Sequence, residues 1–171
     1  MPAADRPATL PEAFQRTACI APAAVALRTV GDTETLVWRD YVTRVRQVAA
    51  GLAALGVGRG DTVAFMMANR IAFYPLEVAA QHVGATSFSV YNTSTAERLA
   101  RVFANTGTRL VFCEHRYVDR IKAGGTPIDV IVCIDDSPDG TISVEHLIGG
   151  GTADFDFDAT WQAVRPDDVA T

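Results

Sequence analysis

Lysine is all but missing from this chain: of its fifteen basic residues only Lys122 is a lysine. The arginines are scattered rather than gathered on one stripe, and the net charge is -5, so nucleic acid is not an expected partner. No basic amphipathic helix is present to bind a membrane surface. The three cysteines, Cys19, Cys113 and Cys133, are far apart, odd in number and without a C-x-x-C pair, which speaks against a disulfide framework or a zinc site and for a reducing cytoplasm. Met1 to Leu10 carries Asp5, Arg6 and two prolines and has no apolar stretch long enough for a signal peptide or membrane span. Neither G-x-S-x-G nor H-E-x-x-H occurs, and His82, His115 and His146 lack metal-ligand spacing, so these histidines are expected to be structural, at the surface or half-buried.

What is present fits a globular domain. The 171 residues are 49% hydrophobic and 20% charged. At this length a single core buries roughly two-thirds of the surface an unfolded chain exposes, so no staples are needed.

Thr9-Leu10-Pro11-Glu12 has capping-box spacing and predicts a helix to about Cys19, ended by Pro22. Val25 to Thr29 and Thr35 to Trp38, separated by Gly31-Asp32, read as a hairpin. Tyr41, Val45, Val48, Leu52 and Leu55 recur every three or four positions and predict an amphipathic helix from Asp40 to Leu55, closed by Gly56 and Gly58. Thr62 to Met67 is a short apolar run expected to be a buried strand. A helix over Phe73 to Val83 follows, with Pro75 tolerable only in its first turn. Ala85 to Tyr91 predicts a strand, and Ser94-Thr95-Ala96-Glu97 a second capping box opening a helix to Asn105 with Gly107 past its end. Strands at Arg109 to Cys113 and Asp129 to Ile134 flank a weak helical stretch from Tyr117 to Lys122. Alternation of strand and helix demands crossover connections, which place mostly parallel strands in one sheet with helices on its faces, an α/β fold.

Several motifs point to chemistry and fail on context. Gly56-Val57-Gly58-Arg59-Gly60 has the glycines of a dinucleotide loop, yet it follows a helix and precedes a strand, the reverse of what a phosphate needs. The same context counts against a dinucleotide-binding oxidoreductase. Gly149-Gly150-Gly151 has no lysine after it. Asp154-Phe155-Asp156-Phe157-Asp158 matches the opening of a calcium loop, but Ala159 stands where glycine is required and Arg165 where the closing glutamate belongs, so a short extended segment with solvated acids and packed phenylalanines is expected. Glu114 beside His115 mimics an acid/base pair, although sequence neighbours project in different directions.

Taken together, Leu52-Ala53-Ala54-Leu55-Gly56-Val57-Gly58-Arg59-Gly60-Asp61-Thr62-Val63-Ala64, then Asn69, then Val83-Gly84-Ala85, then Ser89-Val90-Tyr91-Asn92-Thr93-Ser94 resemble, in order and spacing, the start of AMP-forming acyl-CoA synthetases. The resemblance runs from about Thr9 to Thr171, and the Val90 to Ser94 segment looks most like the long-chain fatty-acid branch. It implies that residues 1–148 form the N-terminal α/β subdomain of the AMP-binding ligase fold, incomplete, and that 149–171 connect toward a phosphate-loop region these residues do not contain. In the family a segment like Arg165-Pro166-Asp167-Asp168-Val169-Ala170 leads into that loop. Gly56, Gly60, Asp61, Asn69, Gly84, Tyr91, Asn92, Thr93 and Ser94 are then scaffold positions in family register. One departure is Val37, where the family often has Thr or Ser before the aromatic residue that begins a helix, which leaves Asp40 as a substitute cap.

The family reaction joins a carboxylate to AMP from ATP and passes the acyl group to CoA. Bringing two anions together calls for a Gly/Ser/Thr-rich loop with a lysine, a magnesium ion and a further catalytic lysine. None of these is expected in this chain: no catalytic, nucleotide-binding or metal-ligating residue is assigned to it, and ATP, magnesium and CoA are implied for the full-length family. The resemblance thus implies a truncated or split fatty-acid-CoA ligase, inactive alone, partnered by a separate chain or by itself. The alternative is a non-catalytic α/β binding or interaction module.

Overall fold

The computed structural model describes residues 6–125 and 128–170. Met1 to Asp5, part of the stretch read above for targeting, and Thr171 lie outside the described residues. The chain opens with helix α1 (Leu10–Ile20), whose Thr9 side chain accepts from Glu12 N at 3.2 Å as the capping box predicts. Strands β1 (Val25–Arg28) and β2 (Thr35–Val37) pair antiparallel as the expected hairpin. Helix α2 (Trp38–Ala54) begins two residues earlier than its periodicity indicates. Val37 stands at its N-cap with no side-chain bond, and Asp40 sits in the first turn without capping it.

Then come β3 (Thr62–Met66), α3 (Phe73–His82), β4 (Thr86–Ser89), α4 (Ala96–Thr106), β5 (Leu110–Cys113), α5 (Val118–Ala123) and β6 (Val130–Cys133). Two further elements carried no signal strong enough to predict, a two-residue strand β7 (Ile142–Ser143) and α6 (Val144–Gly149). The sheet order is β4-β3-β5-β6-β7, every pair parallel. Side chains alternate between two cores, as the period of two requires. Val63, Phe65, Leu110, Phe112 and Val132 face the core built with α2, α3 and α6. Ala64, Met66, Val111, Cys113, Ile131 and Cys133 face the one built with α4 and α5. The central strands β5 and β6 are apolar end to end because both of their faces are covered.

Residues 149–170, expected as a connector, also pack on the first core through helix α7 (Phe157–Gln162). The Asp-Phe alternation is a helix start rather than an extended segment. Asp156 caps α7 by accepting from Ala159 N at 2.9 Å, Asp158 meets Arg46 at 3.3 Å, and Phe157 is buried. Phe157 stacks on His82, ring centroids 5.4 Å apart, while Phe14 of α1 meets the same imidazole edge-on at 5.2 Å. His82 is 1% exposed, a correction to the surface or half-buried placement expected of it. Its Nδ1 lies 2.7 Å from Val78 O and its Nε2 3.0 Å from Gln15 Nε2, an arrangement satisfied when Nδ1 donates and Nε2 accepts.

Burial lowers the His82 pKa to about 4. The unfolded chain therefore takes up a proton near the ordinary value of 6.5 that the folded chain refuses until about 4. The stabilisation is present above about pH 6.5 and declines as pH falls through that window, by up to about 3 kcal/mol. Urea midpoints measured from pH 7 to pH 4 should fall steeply for the native sequence and less so for His82→Phe; equal slopes would refute the assignment. Close packing sets a second requirement. A Cβ on Gly51 would stand 2.3 Å from Leu147 O, so only glycine lets α2 lie against α6. Gly51→Ala should cost about 2 kcal/mol in thermal or urea unfolding, with amide exchange in α6 accelerating first.

Candidate functional site

Because all five strands of the sheet run the same way, their carboxyl ends share one edge. From β3 the chain crosses to β4 through α3 on one face, and from β4 to β5 through α4 on the other. The neighbours β3 and β5 therefore flank the point where the winding reverses, the place where open α/β sheets hold ligands.

At that point β3 leads into Met67 to Arg70 and β5 into Glu114 to Arg116. Glu114 is 1% exposed. Its Oε2 accepts from Ala68 N at 3.3 Å and from Arg116 Nε and Nη2 at 3.1 and 2.7 Å. Oε1 lies 3.6 Å from Arg70 Nη1 and makes no hydrogen bond among the described residues. A buried carboxylate without such partners would be costly, so these contacts tie the two loops together. One strand further on, Asp135 accepts from His115 N at 2.8 Å. Burial pushes its carboxyl up, but backbone N–H bonds from His115, Asp136 and its own residue outweigh this and hold it below the ordinary range. Glu114 and His115 do not pair: the imidazole Nδ1 faces Asp136 Oδ2 at 3.2 Å instead.

On the other flank is the loop after β4. Tyr91 is 75% exposed. Asn92 donates Nδ2 to Met67 O at 3.4 Å, and its buried Oδ1 has no partner among the described residues. Arg120 of α5 reaches across to donate Nη1 to Asn92 O at 2.7 Å and Ser94 O at 3.4 Å. Ser94 N closes a turn on Tyr91 O at 2.9 Å. The cap of α4 is Thr95, which accepts from Arg98 N at 3.3 Å, one residue later than the expected Ser94; Glu97 consequently pairs with Arg101 at 3.0 Å rather than completing a box.

The register residues fall into two groups at opposite edges. Asn69, Tyr91, Asn92, Thr93 and Ser94 belong to the carboxyl-edge loops, Asn69 accepting from Tyr74 OH at 3.2 Å. Gly56, Gly60, Asp61 and Gly84 sit where strands begin: the three glycines have φ of 78°, 90° and 79°, and Asp61 accepts from Gly58 N at 2.8 Å while its carbonyl accepts from Thr86 N at 2.8 Å. Arg70, Arg116 and Arg120 were not anticipated. For Arg70 and Arg116 the available signal was an acidic residue directly after the wholly apolar strand Leu110 to Cys113, which needs cations nearby.

The family model described as AMP-binding enzyme matches residues 14–171. The chain belongs to the AMP-binding enzyme family. It is 64% identical over 138 residues to the uncharacterized protein Rv1549 of Mycobacterium tuberculosis, covering 81% of this chain and 79% of that one. It is 32% identical to 4-coumarate--CoA ligase 1 of Arabidopsis thaliana over 72% of this chain and 23% of the ligase. In fold it matches a long-chain-fatty-acid-CoA ligase from Archaeoglobus fulgidus with TM-score 0.81 and 16% identity, over 95% of this chain and 33% of that one. A benzoate CoA ligase from Burkholderia xenovorans gives 0.71 and 16% over 84% and 29%. The chain thus spans about a third of the solved ligases it superposes on.

The lysine of this AMP-binding enzyme chain and the acids of its carboxyl edge already have partners. Lys122 Nζ donates to Asp139 O at 2.8 Å, and the acids of the carboxyl edge are engaged by arginines and backbone N–H groups. Among the described residues no group of three or more His, Cys, Asp or Glu could hold a metal ion. No described helix is long and apolar enough to cross a membrane. The geometry makes Glu114 the anchor of this edge and its arginines, 44% and 62% exposed, the adjustable partners. Glu114→Ala should therefore cost about 2 kcal/mol, whereas Arg116→Ala should cost less than about 1. Chemical denaturation of both variants checks the order, and a reversed order would show that the arginine, not the acid, is the buried anchor.

Proposed function

We propose that these residues form the N-terminal scaffold of an AMP-forming acyl-CoA ligase acting on a fatty acid, with adenylation carried out by a phosphate loop and catalytic lysine outside them. The observation that carries the reading is the family match across residues 14–171, joined to a carboxyl edge whose charged groups are engaged with one another. In this reading 1–148 are the subdomain and 149–171 lead onward, anchored to the core by Phe157. ATP, magnesium and CoA are bound by the completed enzyme in the cytoplasm, where a separate chain or a second copy adjoins this one. The Val90 to Ser94 segment supports a fatty acid as substrate. The 32% identity to a 4-coumarate--CoA ligase favours a second reading, an aromatic acid in its place.

The test is acid-dependent exchange of pyrophosphate into ATP, run with palmitate and with 4-coumarate, on the isolated chain and on the chain joined to a polypeptide supplying the remaining region. Removal of one electrostatic donor commonly lowers rates about a hundredfold to a thousandfold, so the isolated chain should show no exchange above background, and the completed enzyme should prefer palmitate. Turnover by the isolated chain would refute the scaffold role, and preference for 4-coumarate would transfer the substrate assignment to aromatic acids.

A further inference from the structure

Sulfur is scarce in this chain, with three cysteines and three methionines, yet strand register sets three of these side chains in one row. Met66 of β3 pairs with Cys113 of β5, and Cys113 pairs with Cys133 of β6. All three face the core built with α4 and α5, where they are 0%, 0% and 2% exposed. The two cysteines are far apart in the sequence, so the row exists only once β5 and β6 lie side by side. Neither the carboxyl-edge contacts nor the ligase reading makes use of it.

Burial raises the Cys113 thiol far above its ordinary range, and the neighbouring Cys133 thiol, Asp135 and Glu114 push it the same way. Cys113 is therefore held as a neutral thiol, a poor nucleophile that ionises only when a bound cation replaces its proton. Spacing selects the chemistry. Adjacent strands stand about 4.8 Å apart, and like side chains in register on one face repeat roughly that distance. A disulfide wants Cβ atoms about 3.8 Å apart, which would draw the strands together. Two metal–thiolate bonds of about 2.3 Å laid end to end span nearly the strand spacing instead. Two thiols are too few for zinc, which takes four ligands, and among the described residues no third His, Cys, Asp or Glu joins them. A thioether does, since Met66 stands next in the row. Thiolate and thioether donors in a low-coordinate, water-free setting select copper in its monovalent state.

We infer that Met66, Cys113 and Cys133 form a binding site for one copper(I) ion, seated between the two cysteine sulfurs with the Met66 thioether as a third, weaker donor. Two protons leave to solvent as the ion binds, and the complex keeps one negative charge, because a monovalent cation meets two thiolates. Arg116 and Arg120, over the ring of Tyr117 at 5.3 and 5.8 Å, supply positive charge at the margin of the same core. The ion enters by local opening of α5, a six-residue helix without a side-chain cap that contributes Val118 and Ile121 to this core. Once seated, it joins β5 to β6 directly beneath the loops that begin at Glu114 and Ile134.

The test uses the Cys19→Ser chain, which lacks the exposed thiol, titrated without oxygen against copper(I) held by bicinchoninate. One copper per chain should pass from the chelator to the protein, and the urea midpoint should rise, because an ion that binds only the folded chain stabilises it. Zinc at the same concentration should leave the midpoint where it was. Cys113→Val and Cys133→Ala should each abolish the transfer. Met66→Leu conserves core volume and keeps the test decisive if a cysteine variant folds poorly. It should weaken copper binding at least about tenfold, the scale on which even groups outside the ligand shell tune metal affinity. No transfer, transfer retained in Cys113→Val, unchanged affinity in Met66→Leu, or a midpoint that falls as copper binds would each overturn the site.

Discussion

Burial of β3, β5 and β6 on both faces governs the rest of the molecule. A strand whose side chains alternate between two cores cannot sit at a solvated surface, so helices must cover the sheet above and below. Covering both faces with parallel strands forces crossovers, and α3 and α4 leaving on opposite faces produce the reversal between β3 and β5. The reversal opens the crevice into which Met67 to Arg70 and Glu114 to Arg116 are set. The position of the polar edge is thus a consequence of Phe65, Met66, Phe112 and Cys113 being inaccessible to water.

The residues that hold that edge are arginines, and their geometry suits the task. A planar guanidinium donates to two acceptors in a fixed fork, whereas an ammonium is a point charge on a flexible stem. Arg116 grips Glu114 with two nitrogens, and Arg120 spans the carbonyls of Asn92 and Ser94. Arginine here fixes loops with respect to one another.

The α/β class, the hairpin and the helices with clear periodicity were legible in the sequence because Tyr41, Val45, Val48 and Leu52 repeat at helical spacing and Leu110 to Cys113 is apolar throughout. The cap of α4 was misplaced by one residue because Ser94 and Thr95 are equally good caps and the turn closed by Ser94 N on Tyr91 O decides between them. β7 and α6 were missed because two-residue strands and six-residue helices hold no periodic pattern; their stability comes from Val144 and Leu147 packing in the first core. The carboxyl-edge loops were legible as register positions Asn69 and Tyr91 to Ser94, whereas the arginines that hold them were not. Arg120 and Asn92 are 28 residues apart, and nothing local marks the pair.

Residues 149–170 show how far the tail departs from a simple tether. Phe157 stacks on His82 inside the first core, and the chain then returns to the sheet to place Val169 and Ala170 against β4. A flexible connector would leave the entry to the β4 edge undefined. Anchoring at Phe157 and again where Asp168 meets Arg59 fixes both where the chain reaches that edge and in which direction it points. Direction is decisive, because an antiparallel approach would point this segment toward Gly56, Gly60 and Gly84, at the starts of the strands. The parallel approach points it instead along β4 toward Tyr91 and Asn92, at the carboxyl ends of the strands.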